Sequence, residues 1–137
     1  MSTSQGEQPL QLEWLPGRYA VCRLEAEVPI PEWAMQMNQS SPLSSITRTD
    51  RELSIVCDDA LVPEGVRAER GFVALRVVGT LDFSLTGIIA RLTKPLADAG
   101  VPVFVVSTFE TDYLLVRVMD QAAAGTALRG VGHTITA

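Results

Sequence analysis

Apolar residues crowd into one stretch, Gly71–Met119, and their spacing changes twice along it. GFVALRVVG is almost continuously apolar, which predicts a strand covered on both faces. In DFSLTGIIARLTKPLADAG, Leu85, Ile88, Ile89, Leu92, Leu96 and Ala99 recur at helical spacing on one stripe, while Arg91, Lys94 and Asp98 point elsewhere. Asp82 or Ser84 is the expected N-cap, Gly100 the C-terminal stop, and Pro95 is expected to bend the last turn. Val101–Ser107 and Tyr113–Met119 then predict two strands of a hairpin around Thr108–Asp112, with Leu114, Val116 and Val118 on one face and Tyr113, Leu115 and Arg117 on the other. DQAAAGTALRG predicts a second helix and HTITA a last edge strand.

The earlier chain is a fainter version of this pattern. Arg18–Glu25 reads as a strand, VPIPEWAMQM as two prolines ahead of a short helical turn with Pro31 in its first turn, and Trp14 and Trp33 as covers for exposed core edges. After the polar loop NQSSPLSS, Leu53, Ile55 and Cys57 alternate with Glu52, Ser54 and Val56 in a half-buried strand. Laying Ser45–Asp59 over Ser107–Gln121 superposes Ser45 on Ser107, Thr49 on Thr111 and Asp50 on Asp112, an offset of 62. Tyr19–Leu24 overlays Phe72–Val77 at an offset of 53, with Arg23 on Arg76. Such self-similarity predicts two units built alike, the earlier one lacking the long helix between strand and hairpin. Asp58–Arg70, with Pro63 and Gly65, is the boundary, too short for a flexible linker. Strand, helix, two strands, helix, strand is the order of an α+β, ferredoxin-like βαββαβ sandwich.

Composition narrows the function classes. The chain has 137 residues, a net charge of −5 and eleven Lys and Arg that are scattered singly, so no basic face offers itself to nucleic acid or an anionic membrane. No apolar run approaches the ~20 residues needed to span a bilayer, and MSTSQGEQPL lacks the pattern of a secretion signal, so a frayed tail and a cytoplasmic location are expected. Cys22 and Cys57 lie in apolar strands and read as small buried residues. With His133 as the single histidine, neither a zinc set nor a nucleophile triad can be assembled, and no phosphate-loop or nucleophile-elbow motif occurs. Asp58 and Asp59 read as a solvated turn. No catalytic residue, metal or cofactor is expected.

The turn Gly79–Gly87, ahead of the long helix, is the place where a ligand fits best. Its unpaired backbone N–H groups suit a carboxylate or other small anion, and Gly79 and Gly87 allow close approach. The expected binding set is Gly79, Asp82, Phe83, Ser84, Leu85, Thr86 and Gly87 from the turn with Ser107, Thr108 and Asp112 from the hairpin, Asp82 or Asp112 accepting from an ammonium group.

GTLDFSLTGIIARLTKPLADAGVPVFVVSTFETDYLLVRV resembles the core of the ACT domain family, in the tandem branch similar to eukaryotic cytosolic arginine sensors; STFETDYLLV carries most of the likeness and ELSIVC at Glu52–Cys57 supports it. The resemblance implies a tandem repeat of two ACT-like halves, a truncated one at 13–62 and a second at 63–137 after a disordered tail at 1–12. It implies a regulatory protein that binds a small-molecule effector, an amino acid first among candidates, near the strand-to-helix turn. It also implies side-by-side pairing, as a homodimer or with an enzyme on a separate chain. Glycine comes later in Asp82–Gly87 than in the D-x-x-G helix start of many regulatory ACT domains, which leaves the ligand open. The competing expectation is an assembly module without a working pocket, in which Phe83 and Leu85 fill the turn.

Overall fold

The computed structural model describes residues 8–37, 39–79 and 87–136. It contains β1 (Gln11–Trp14), β2 (Tyr19–Leu24), β3 (Ser45–Arg48), β4 (Leu53–Asp58), β5 (Arg67–Val77), α1 (Ile88–Asp98), β6 (Phe104–Ser107), β7 (Asp112–Arg117), α2 (Gln121–Gly130) and β8 (Thr134–Thr136), with short 3-10 turns between some of them. The chain divides into two compact units, Leu15–Val73 and Met1–Trp14 with Ala74–Ala137. Strand β5 runs from the first unit into the second.

In the unit Leu15–Val73 the strand order is β3-β4-β2-β5, antiparallel throughout. The apolar period places Ala20, Cys22, Leu53, Ile55 and Cys57 in one core, closed by Ala34 from the 3-10 turn Glu32–Met35 and by Val62. Trp33 packs against this core, as its sequence context suggests. Helices are reduced to single turns here: Glu32–Met35 after β2 and Asp59–Leu61 after β4. Asp58 and Asp59, read above as a solvated turn, are structural instead. Asp58 Oδ1 accepts from the Ala60 N–H at 2.8 Å and caps the second 3-10 turn. Asp59 takes the Arg70 guanidinium at 2.6 Å and the Gly71 N–H at 2.9 Å, pinning the connection to the start of β5.

The second unit has the order β6-β7-β5-β1-β8. Gln11 and Leu12, placed by sequence reading in a disordered tail, lie in β1, which pairs antiparallel with β5 (Leu12 opposite Val77, Glu13 opposite Arg76) and parallel with β8. Helix α1 buries Ile88, Leu92 and Leu96. It ends as its sequence predicts: Gly100 adopts φ +74°, its N–H bonds the Ala97 carbonyl, and the Val101 N–H reaches the Leu96 carbonyl at 2.9 Å. That paired arrangement satisfies carbonyls the helix leaves open, and only glycine enters it without a Cβ penalty. The N-cap is Gly87, in place of Asp82 or Ser84. Residues 80–86 lie outside the described ones.

The two hairpin turns are built alike, three residues away from the sequence overlay. In each, a threonine opens the turn. The Thr49 and Thr108 N–H groups bond the carbonyls of Glu52 and Thr111, both at 2.9 Å, and their hydroxyls accept from the N–H groups of those same residues at 3.2 and 3.3 Å. Thr49 thus corresponds to Thr108, and the S-x-x-x-T-D identity that put Thr49 on Thr111 is displaced from the structural equivalence. A slip of three residues is odd and exchanges the two faces of a period-2 strand, so the overlay rests on the matching turn residues and not on the strand pattern.

Candidate functional site

A cleft of about 270 Å³ opens where β1, the end of β5 and the β6–β7 turn meet, all within the second unit. Glu13 comes from β1, Arg76 to Gly79 from β5 and the residues after it, and Glu110, Thr111 and Tyr113 from the hairpin. The cross-strand register explains its charged wall: Glu13 faces Arg76 directly, and the Arg76 Nε donates to Glu13 Oε1 at 2.8 Å while Nη2 bonds the same oxygen. The Glu13 carboxylate and the Tyr113 hydroxyl together hold the guanidinium still further above its ordinary pKa, with burial opposing them.

The floor is set by Thr111, whose hydroxyl donates to the Val77 carbonyl at 2.8 Å in a buried position and fixes the hairpin to the end of β5. Gly79 sits at the rim with φ +95° and open space where a side chain would project. The backbone turn here needs glycine for its dihedral, and the vacancy leaves room beside it.

Of the sequence-predicted set, Gly79 lines this cleft. Ser107 and Asp112 are brought together, Ser107 Oγ donating to Asp112 Oδ1 at 2.6 Å, and Thr108 closes the turn with Thr111; these three do not line the cleft. Gly87 caps α1. Asp82, Phe83, Ser84, Leu85 and Thr86 lie outside the described residues. Sequence reading missed Glu13, Arg76, Glu110, Thr111 and Tyr113 as a group. Arg76 gave the one available signal, a charge inside the most apolar run of the chain, matched by Arg23 in the earlier copy.

A second, shallower groove of about 390 Å³ is lined by Ala90, Arg91, Lys94 and Pro95 of α1 with Val131 and His133. The buried His133 accepts the Leu10 N–H on Nδ1 at 3.0 Å, so its proton resides on Nε2, and burial holds its pKa below the usual histidine range. Arg91 reaches the Gln8 carbonyl through Nη2. These bonds fasten the start of the chain. Cys22 and Cys57 are free, buried and in hydrogen-bonding contact, and that bond together with burial raises the Cys57 thiol. Among the described residues no cluster of His, Cys, Asp and Glu could hold a metal ion, and no helix is long and apolar enough to cross a membrane.

Comparison with known proteins agrees with this architecture. No curated protein sequence matches the chain. A crystallised protein from Agrobacterium tumefaciens is 38% identical over 95% of each chain, with a TM-score of 0.87. At fold level only, the chain is similar to the regulatory subunit of aspartate kinase from Thermus thermophilus (10% identity, 85% of this chain and 94% of that one, TM-score 0.59). It is likewise similar to part of the aspartate kinase of Clostridium acetobutylicum, described as an allosteric enzyme (12% identity, 88% and 33%, TM-score 0.62). A family model for an N-terminal domain matches residues 17–65, and the model described as ACT domain matches residues 67–130, the span of β5, α1, β6, β7 and α2. With that match and the ferredoxin-like elements together, residues 67–130 of the chain form an ACT domain.

Proposed function

We propose that the chain is a regulatory protein, without catalytic activity of its own, that binds a small metabolite in the cleft between Arg76 and the β6–β7 turn and passes its occupancy to a partner. The observation that carries this reading is the cleft itself: a charged pair, an aromatic ring and a glycine rim converge at the strand end that leads toward α1. A pocket near 300 Å³ is at the small end of ligand sites, which suits a metabolite of amino-acid size. The two halves, 13–62 and 63–137, form a tandem of ACT-like units in a cytoplasmic protein whose partner is a second copy or a separate enzyme chain.

Thermal unfolding in the presence of the common amino acids and nucleotides tests it. A ligand held at 100 times its dissociation constant adds about 2.7 kcal/mol, which raises the midpoint by several degrees. A flat response across the whole panel would sink the proposal. Where one compound responds, solution mass with and without it reads the coupling to assembly.

A further inference from the structure

Resting on the cleft reading above, we propose that this cleft selects a small organic cation, an ammonium or guanidinium compound, and that Glu110 sets the preference. The one cation in the wall is Arg76, which invites the opposite conclusion, that the cleft takes a carboxylate. The geometry argues against it. Two nitrogens of Arg76 end on Glu13 Oε1, so its charge is already matched inside the wall. A carboxylate entering here would meet an arginine whose charge Glu13 already matches, and the acidic side chain of Glu110, which repels it.

Glu110 differs from Glu13. It stands at the tip of the hairpin with no hydrogen bond or ion pair to another described residue, which leaves both of its oxygens open to a donor. With Arg76 and Glu13 cancelling, the cleft carries the charge of Glu110. Tyr113 lines the same cleft with an aromatic ring able to receive a cation, and the exposed Val78 gives an apolar side for an alkyl stem. Charge, ring and stem surface together describe a primary amine or guanidine on a short aliphatic chain.

The test uses the full chain with putrescine and succinate as probes, at equal ionic strength, followed by backbone amide shifts. Putrescine is expected to move the amides of Val78, Gly79, Thr111 and Tyr113 saturably, with succinate leaving them in place. Glu110→Gln keeps shape and exposure and is expected to weaken putrescine by about tenfold, the loss of a charge-assisted hydrogen bond, while the remaining spectrum stays unchanged. Saturable shifts from succinate instead of putrescine overturn the charge preference and leave the cleft as a binding site. Silence from both probes overturns this proposal and leaves the cleft reading to the thermal-unfolding panel. Unchanged putrescine affinity in Glu110→Gln overturns the role of Glu110.

Discussion

Thr111 is the residue on which the cleft floor depends. Its main chain closes the β6–β7 turn and its hydroxyl crosses to the Val77 carbonyl at 2.8 Å. Thr111→Val preserves the shape and removes the donor, leaving a buried carbonyl short of a partner; the expected loss is about 1–3 kcal/mol, read as a lower urea midpoint at unchanged slope. Gly79→Ala isolates a different effect. Nothing lies within 4 Å of the added methyl, so the cost is conformational, from φ +95°, and about 1–2 kcal/mol is expected. His133 supplies a pH dependence. Its folded pKa is depressed by burial, with the Arg91 charge adding to the effect, so the unfolded state takes up a proton more readily. The stability from neutral His133 is present above the unfolded value near 6.5 and is lost as pH falls below it. Protonation also ends acceptance of the Leu10 N–H at Nδ1. The denaturation midpoint should therefore drop between pH 7.5 and pH 5, and His133→Gln should flatten that drop.

At the scale of elements, α1 offers the plainest energetic test. Leu92 is fully buried on its apolar stripe, and Leu92→Ala is expected to cost about 2–5 kcal/mol through the cavity it leaves. This helix, its glycine stop and the hairpin after it were legible in the sequence because each is specified locally: a stripe of period 3.6, a residue that tolerates positive φ, two alternating strands around a polar turn. Strand β1 was not. Its alternation of Leu10, Leu12 and Trp14 with Gln11 and Glu13 spans only five residues beside a polar N-terminal stretch, too short to separate a strand from a tail without the pairing that β5 and β8 supply from both sides. The candidate site follows the same division. Gly79 stands out by its residue type, and the hairpin by its spacing. Glu13 and Arg76 meet across 63 residues of chain, and no window of sequence contains both. The turn equivalence of Thr49 with Thr108 was hidden by a chance identity three residues along.

On the scale of the whole molecule, the two family models divide the chain near residue 66, and β5 does not respect that division for its partners. Its first part, Arg67 to Phe72, is the outer neighbour of β2; its last part, Leu75 to Val77, is the neighbour of β1. One backbone completes the strand order of both units. A consequence follows for anyone who would dissect the protein. Cutting at the apparent boundary strips β2 of a partner in the leading piece, and it takes β1 away from the trailing piece, so that β8 loses the strand it pairs with. Each piece then exposes unpaired N–H and C=O groups along a bare edge, the template on which chains aggregate. Expressed separately, residues 1–66 and 67–137 are expected to elute as soluble aggregates or to fail to fold, while the intact chain does not; two well-behaved monomers on size exclusion would contradict this. The natural place to insert a tag or a second domain is accordingly a hairpin tip such as Asp50–Arg51, where the backbone is exposed and no strand is divided.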